Sequence, residues 1–97
     1  MIQTHTLTRE LEQILEQVKV DEPFNLIVWN DNVNTFDWVI ESLVEVCGHT
    51  RQQAEQCAMI IHYKGKYPVK KGAIKKLSPM REALTDRGIG ATVEEVA

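Results

Sequence analysis

Cysteine is scarce in this chain: 97 residues contain two, Cys47 and Cys57, set among Val46, Ala54, Ala58 and Met59. That setting predicts buried thiols acting as small hydrophobes and excludes a disulfide framework. Together with His49 and His62 they make no CxxC or HxxxH pair, so no zinc site and no other cofactor is expected. Neither Ser42 nor Ser78 stands in a nucleophile-elbow pattern, and an enzyme is not expected. Long apolar runs are also missing. Nothing approaches the roughly 20 residues of a membrane helix, and the N-terminus lacks the basic-then-apolar layout of a secretion signal. The expectation is a cytoplasmic protein that does not enter the membrane.

What is present is 43% hydrophobic and 26% charged residues, enough for one core without metals or disulfides. Nothing demands more than a monomer. The net charge of −3 is unevenly spread: residues 1–62 hold ten acids and three bases, residues 63–97 four acids and eight bases. Six of the seven lysines fall between Lys64 and Lys76, close to Tyr63 and Tyr67. Such a stretch fits either a nucleic-acid surface or an edge strand guarded by lysines against pairing. The acidic overall balance favours the guarded edge, and no nucleic-acid partner is expected.

Residues 1–22 carry Leu7, Leu11, Ile14, Leu15 and Val18 at helical spacing, closed off by Pro23. This N-terminal arm reads as a short helix or as a mobile segment that orders against a partner, with the main domain spanning 23–97. Phe24–Asn30, FNLIVWN, reads as a strand buried on both faces. Asn34 is a candidate cap for a helix with the stripe Phe36, Val39, Ile40, Leu43, Val46 and Cys47, ended by Gly48. Thr50 and Gln53 form a capping-box pair opening a second helix through Ala54, Cys57, Ala58 and Ile61. GKYPVK reads as an edge strand, because Pro68 donates no ladder bond. Ser78 and Pro79 read as the cap and first turn of a third helix stopped by Gly88; residues 73–77 are allowed one preceding turn, bent at Pro79. The alternation in IGATVEEV ends the chain in a strand. The order βααβαβ predicts a small α+β domain, a three-stranded sheet covered by helices.

The polar triplet Asn30, Asp31, Asn32 interrupts the passage from strand to helix. In extended backbone Asn30 and Asn32 face one way and Asp31 the other, so two amide oxygens converge. His62, ending the second helix, could add an imidazole nitrogen. Acceptors without an activated nucleophile suit an ammonium, whose three donors want three partners. With apolar neighbours as a wall, such a site reads a free N-terminal residue bearing a large side chain. The residues alone equally allow a plain turn in which Asn and Asp bond their own backbone, with His62 as a helix-ending histidine.

VWNDNVNTFDWVIESL followed by AMIIHYKGK resembles the ClpS family of adaptor proteins, in which the strand ends in Asn-Asp-Asp and the second helix in His-x-x-Gly. The resemblance spans residues 24–97. It implies a non-enzymatic adaptor that binds N-degron substrates through a free Leu, Phe, Tyr or Trp terminus and delivers them to an AAA+ unfoldase of the ClpA/ClpC type with ClpP. By the same resemblance Asn30, Asn32 and His62 bind the α-ammonium, supported by Asp31. Asn34, Phe36, Val39, Ala58, Ile61 and Ile89 line the side-chain pocket, and the arm engages the unfoldase. An imidazole acting as acceptor must be neutral, which predicts weaker binding in acid. Acetylation of the terminus would cost about 1–3 kcal/mol or more through unpaired polar groups.

The chain departs from the family pattern in places. Asn32 stands where Asp is usual, Phe36 and Ala58 each replace a Met, and Lys75 and Lys76 fall where an acidic residue is common. A rival reading resembles the C-terminal domain of the ribosomal stalk protein, with segment 64–76 as an RNA- or translation-factor-binding surface.

Overall fold

A computed structural model describes residues 24–96. The predicted arm, residues 1–22, lies outside them. The chain runs β1 (Phe24–Trp29), α1 (Phe36–Cys47), α2 (Arg51–Lys64), β2 (Lys66–Gly72), α3 (Ile74–Asp86) and β3 (Ala91–Glu95). The three strands form one antiparallel sheet in the order β2-β1-β3. The expected α+β fold with three helices and a three-stranded sheet is the one observed.

β1 lies in the centre because its apolar core needs cover on all sides: Leu26, Ile27 and Val28 are all buried. Leu26 and Val28 join the main core with α1, α2 and α3, opposite Val93 and Ala91 of β3. β2 takes an edge, as Pro68 requires, and a bulge opposite Leu26 and Ile27 turns Val69 into the core. No helix among the described residues is long and apolar enough to cross a membrane.

α1 buries Ile40, Leu43 and Cys47, and α2 buries Ala54, Cys57, Ala58 and Ile61. Small residues on α2 allow the two helices to pack closely. Gly48 ends α1 at φ 73°, a left-handed conformation without steric cost for glycine, and its N–H donates to Val44 O. Thr50 and Gln53 close the expected capping box at the start of α2. Both thiols are free and buried. Burial pushes the Cys47 thiol up to about 11.

Two expectations about helix starts need correction. α1 is capped by Thr35, whose hydroxyl accepts from Trp38 N, and Asn34 is used elsewhere. α3 begins at Ile74, capped by the backbone of Ala73, so Ser78 and Pro79 lie inside it. An interior proline costs about 3 kcal/mol, but Leu77 and Leu84, both fully buried on this helix, each contribute about 1.5–3 kcal/mol. Burial on both sides of Pro79 carries the helix through.

Candidate functional site

β1 ends by opening into a loop fixed on both flanks. Trp29 N donates to Gly90 O at 3.0 Å, and Asn30 N donates to Gly65 O at 2.8 Å. The central strand is thus continued one residue beyond its ladder, and the polar triplet starts from a held position.

The loop then turns on Asp31. Its Oδ1 accepts from the backbone N–H groups of Val33 (2.8 Å) and Asn34 (2.7 Å), and its Oδ2 from Asn34 Nδ2 (2.7 Å). These donors, the Asn34 backbone N–H foremost, hold the Asp31 carboxyl below the usual carboxylate range. Asp31 therefore stays ionised while its oxygens are spent on the turn. The extended alternation expected of the triplet is lost here, because an aspartate closing a turn curls the chain.

Asn34 is the second fastener. Its Nδ2 also donates to Gly88 O at 2.8 Å, tying the loop to the end of α3. Both amide hydrogens are used, which leaves only its carbonyl oxygen for a ligand. Beside it Trp38 Nε1 donates to Arg87 O at 3.0 Å, and the Arg87 guanidinium lies 5.5 Å from the Trp38 ring centroid. Arg87 Nη1 donates in turn to Ser42 Oγ (3.3 Å) and Glu45 Oε1 (2.7 Å). The start of α1 is thereby stapled to the last turn of α3.

Asn30, Asp31, Asn32, Asn34, Phe36, Val39, Ala58, Ile61 and His62 surround one solvent-open cavity of about 330 Å³, together with Thr35. The loop supplies the polar rim, α1 one wall and α2 the other. Ala58 and Ile61 are buried at 3% and 4% exposure, so the floor is apolar. Phe36, expected in the core stripe, is 45% exposed at the mouth, its ring 5.2 Å from that of His62 and tilted by 53°. Tyr63 meets the same imidazole edge-on at 5.3 Å.

One residue of the expected set is elsewhere. Ile89 is 2% exposed within the main core and does not line the cavity, because its N–H bonds Leu84 O and folds the chain back under α3. Thr35, Trp38 and Arg87 were missed as supports of the site. For Thr35 a signal existed: the apolar stripe begins at Phe36, and a cap stands directly before the first helical residue. No group of three or more His, Cys, Asp or Glu side chains that could hold a metal ion is found among the described residues.

Fold and cavity together define a small α+β domain whose open site combines a polar rim with an apolar floor. A family model described as ATP-dependent Clp protease adaptor protein ClpS matches residues 19–90. The chain is 31% identical over 91 residues to the ATP-dependent Clp protease adapter protein ClpS of Corynebacterium aurimucosum, covering 91% of this chain and 82% of that one. It is 26% identical over 88 residues to that of Streptomyces coelicolor, covering 91% and 92%. To that of Campylobacter jejuni it is 40% identical over 55 residues, which cover 55% of this chain and 57% of that protein. A structure of Agrobacterium tumefaciens ClpS2 bound to L-phenylalaninamide shares the fold with a TM-score of 0.66 at 16% identity, over 77% of this chain and 98% of that one. The chain belongs to the ClpS family.

Proposed function

We propose that this protein is a non-catalytic adaptor. It binds substrates by a free N-terminal residue with a bulky hydrophobic side chain, Leu, Phe, Tyr or Trp, and delivers them to a Clp-type AAA+ unfoldase of the ClpA or ClpC kind, working with ClpP in the cytoplasm. The observation that carries this reading is the convergence of Asn30, Asn32 and His62 on one cavity with an apolar floor.

The α-ammonium offers three donors, met by the amide oxygens of Asn30 and Asn32 and one imidazole nitrogen of His62. Asp31 acts at one remove. Its carboxylate shapes the turn through Val33 and Asn34 and adds negative charge beside the ammonium. The first side chain enters between Val39, Ala58 and Ile61, with Phe36 at the mouth. Nothing in this scheme requires a bond to break. Discrimination against a blocked terminus follows from charge loss and from acceptors left without donors, at about 1–3 kcal/mol or more.

Fluorescence anisotropy with labelled peptides that differ only at the terminus tests the reading: free Leu, Phe, Tyr, Trp, Val or Met, and acetylated Phe. The expected result is selective binding of free bulky termini, lost on acetylation and in His62→Ala. Equal binding of acetylated and free Phe would remove the ammonium site, and binding to none of the peptides would remove the function.

A further inference from the structure

Of the exposed large apolar side chains among the described residues, Phe36 is the one that lines the cavity. Val33 and Tyr63 directly follow Asn32 and His62 in the chain and are more exposed still, yet neither belongs to the lining. Val39, Ala58 and Ile61 supply the apolar surface deeper in, with Ala58 and Ile61 buried. The Phe36 ring therefore shares in the wall and keeps a face open to solvent at the mouth. Its backbone is held in place: Thr35 caps α1 by accepting from Trp38 N, and Val39 N donates to Thr35 O at 3.1 Å.

A phenyl ring left partly in water is an unfavourable contact that an apolar group laid over it would remove. The first side chain of a bound terminus leaves that outer face uncovered, because it enters toward the floor. The polar groups on the loop side of the ring already serve the fold. Both Asp31 oxygens hold the turn, both amide hydrogens of Asn34 are donated, and Thr35 Oγ1 accepts from Trp38 N. On the other side lies the His62 ring, its centroid 5.2 Å from that of Phe36. The mouth thus offers a second side chain an aromatic face more than a set of polar partners.

We propose that the cavity selects free N-termini followed by an apolar residue, with the Phe36 ring as the specificity-determining surface for that second side chain. This rests on the reading of the cavity as a site for N-terminal residues. An ammonium held by His62 fixes the Cα of the first residue beside it, and the Cα of the second lies about 3.8 Å further on. That step is on the scale of the 5.2 Å between the two rings, so a second side chain of Leu or Phe size reaches the Phe36 face. An apolar group there gains burial, whereas a polar one of the same size gives up hydration without gaining a partner. Covering one half-exposed ring buries only part of a side chain, so the preference is modest: about 3- to 10-fold between Leu and Asn.

The test uses three labelled peptides with free Phe first and Leu, Asn or Gly second, otherwise identical, titrated by anisotropy. Leu and Asn match in size and differ in polarity, so their ratio isolates the apolar contact. The expected order places Leu ahead of Asn and Gly. Phe36→Leu, which keeps an apolar surface at the mouth, should preserve that order, and Phe36→Ala should level the three. Equal affinities for three peptides that all lose binding on acetylation would overturn this proposal and leave the function standing. A Leu preference unchanged in Phe36→Ala would also overturn it, and so would loss of all three peptides in that variant, which would assign the ring to the first side chain alone. Binding of none of the three by the unaltered protein would overturn both.

Discussion

Asn34→Ala is the sharpest probe of how the site is held. The substitution deletes two side-chain hydrogen bonds, one to the Asp31 carboxylate at 2.7 Å and one to Gly88 O at 2.8 Å. A bond to a charged acceptor is worth about 1.5–3 kcal/mol and a neutral one about 0.5–1.5 kcal/mol. Both lie near the surface, where water competes, so the low end applies and the expected loss is about 2 kcal/mol. For a domain of this size that lowers the melting temperature by about 8–16 °C. The loss depends on pH with a definite sign. Asp31 has its carboxyl lowered in the folded state, so its contribution is complete above the unfolded value of about 3.9 and disappears as pH falls through the folded one. The Asn34→Ala penalty should therefore be full at neutral pH and shrink in acid. Asn34→Asp should be worse than Ala at neutral pH, since it sets a second carboxylate against Asp31, and should recover in acid once one of the pair takes a proton. Thermal melts followed by circular dichroism across pH give all three values. An Asn34→Ala melt unchanged at neutral pH, or an Asp variant no worse than Ala there, would refute the assignment of Asn34 as the fastener of the loop.

Three further outcomes are expected. Ala58→Met fills part of the cavity floor, so binding of peptides starting with Trp or Phe should fall at least about 10-fold, read by anisotropy on protein shown by calorimetry to be folded. His49 donates Nε2–H to Val69 O at 2.8 Å, its Nδ1 is buried without a partner among the described residues, and burial lowers its pKa. The unfolded chain then binds more protons in the window between the folded value and about 6.5, so stability rises with pH across that window, and urea titrations of His49→Gln should show a flatter slope. Cys47, with its thiol raised to about 11 and its side chain in the core, should resist alkylation in the native protein and react at an ordinary rate in urea, as thiol counting by mass spectrometry would show.

Much of this architecture was legible because local signals agreed with tertiary need. Phe24–Trp29 is too apolar for anything but a central strand, Pro68 confined β2 to an edge, and the Thr50–Gln53 box marked its helix to the residue. Where local chemistry and packing disagreed, packing prevailed. Ser78 followed by Pro79 is a good helix start, yet Leu77 and Leu84 must lie on one continuous helix to be buried together. Asn34 was the expected cap, and its bond to the distant carbonyl of Gly88, 54 residues on, draws it away from that role. The same kind of long-range pairing hid Trp38 and Arg87. The cavity residues were readable as a set because the loop and the end of α2 each carry a recognisable pattern. Ile89 was not, since whether a strand-entry residue faces the cavity or the core depends on how α3 closes over it.

The position of the polar loop at the end of the central strand also has a mechanical consequence. A pull on the loop at Asn30 along the axis of β1 loads the antiparallel bonds to β2 and β3 together, in shear, because those bonds run across the direction of pull. A loop on an edge strand would instead let the sheet be peeled open one rung at a time. The sheet thus resists a pull on the polar loop along β1 with all of its rungs at once.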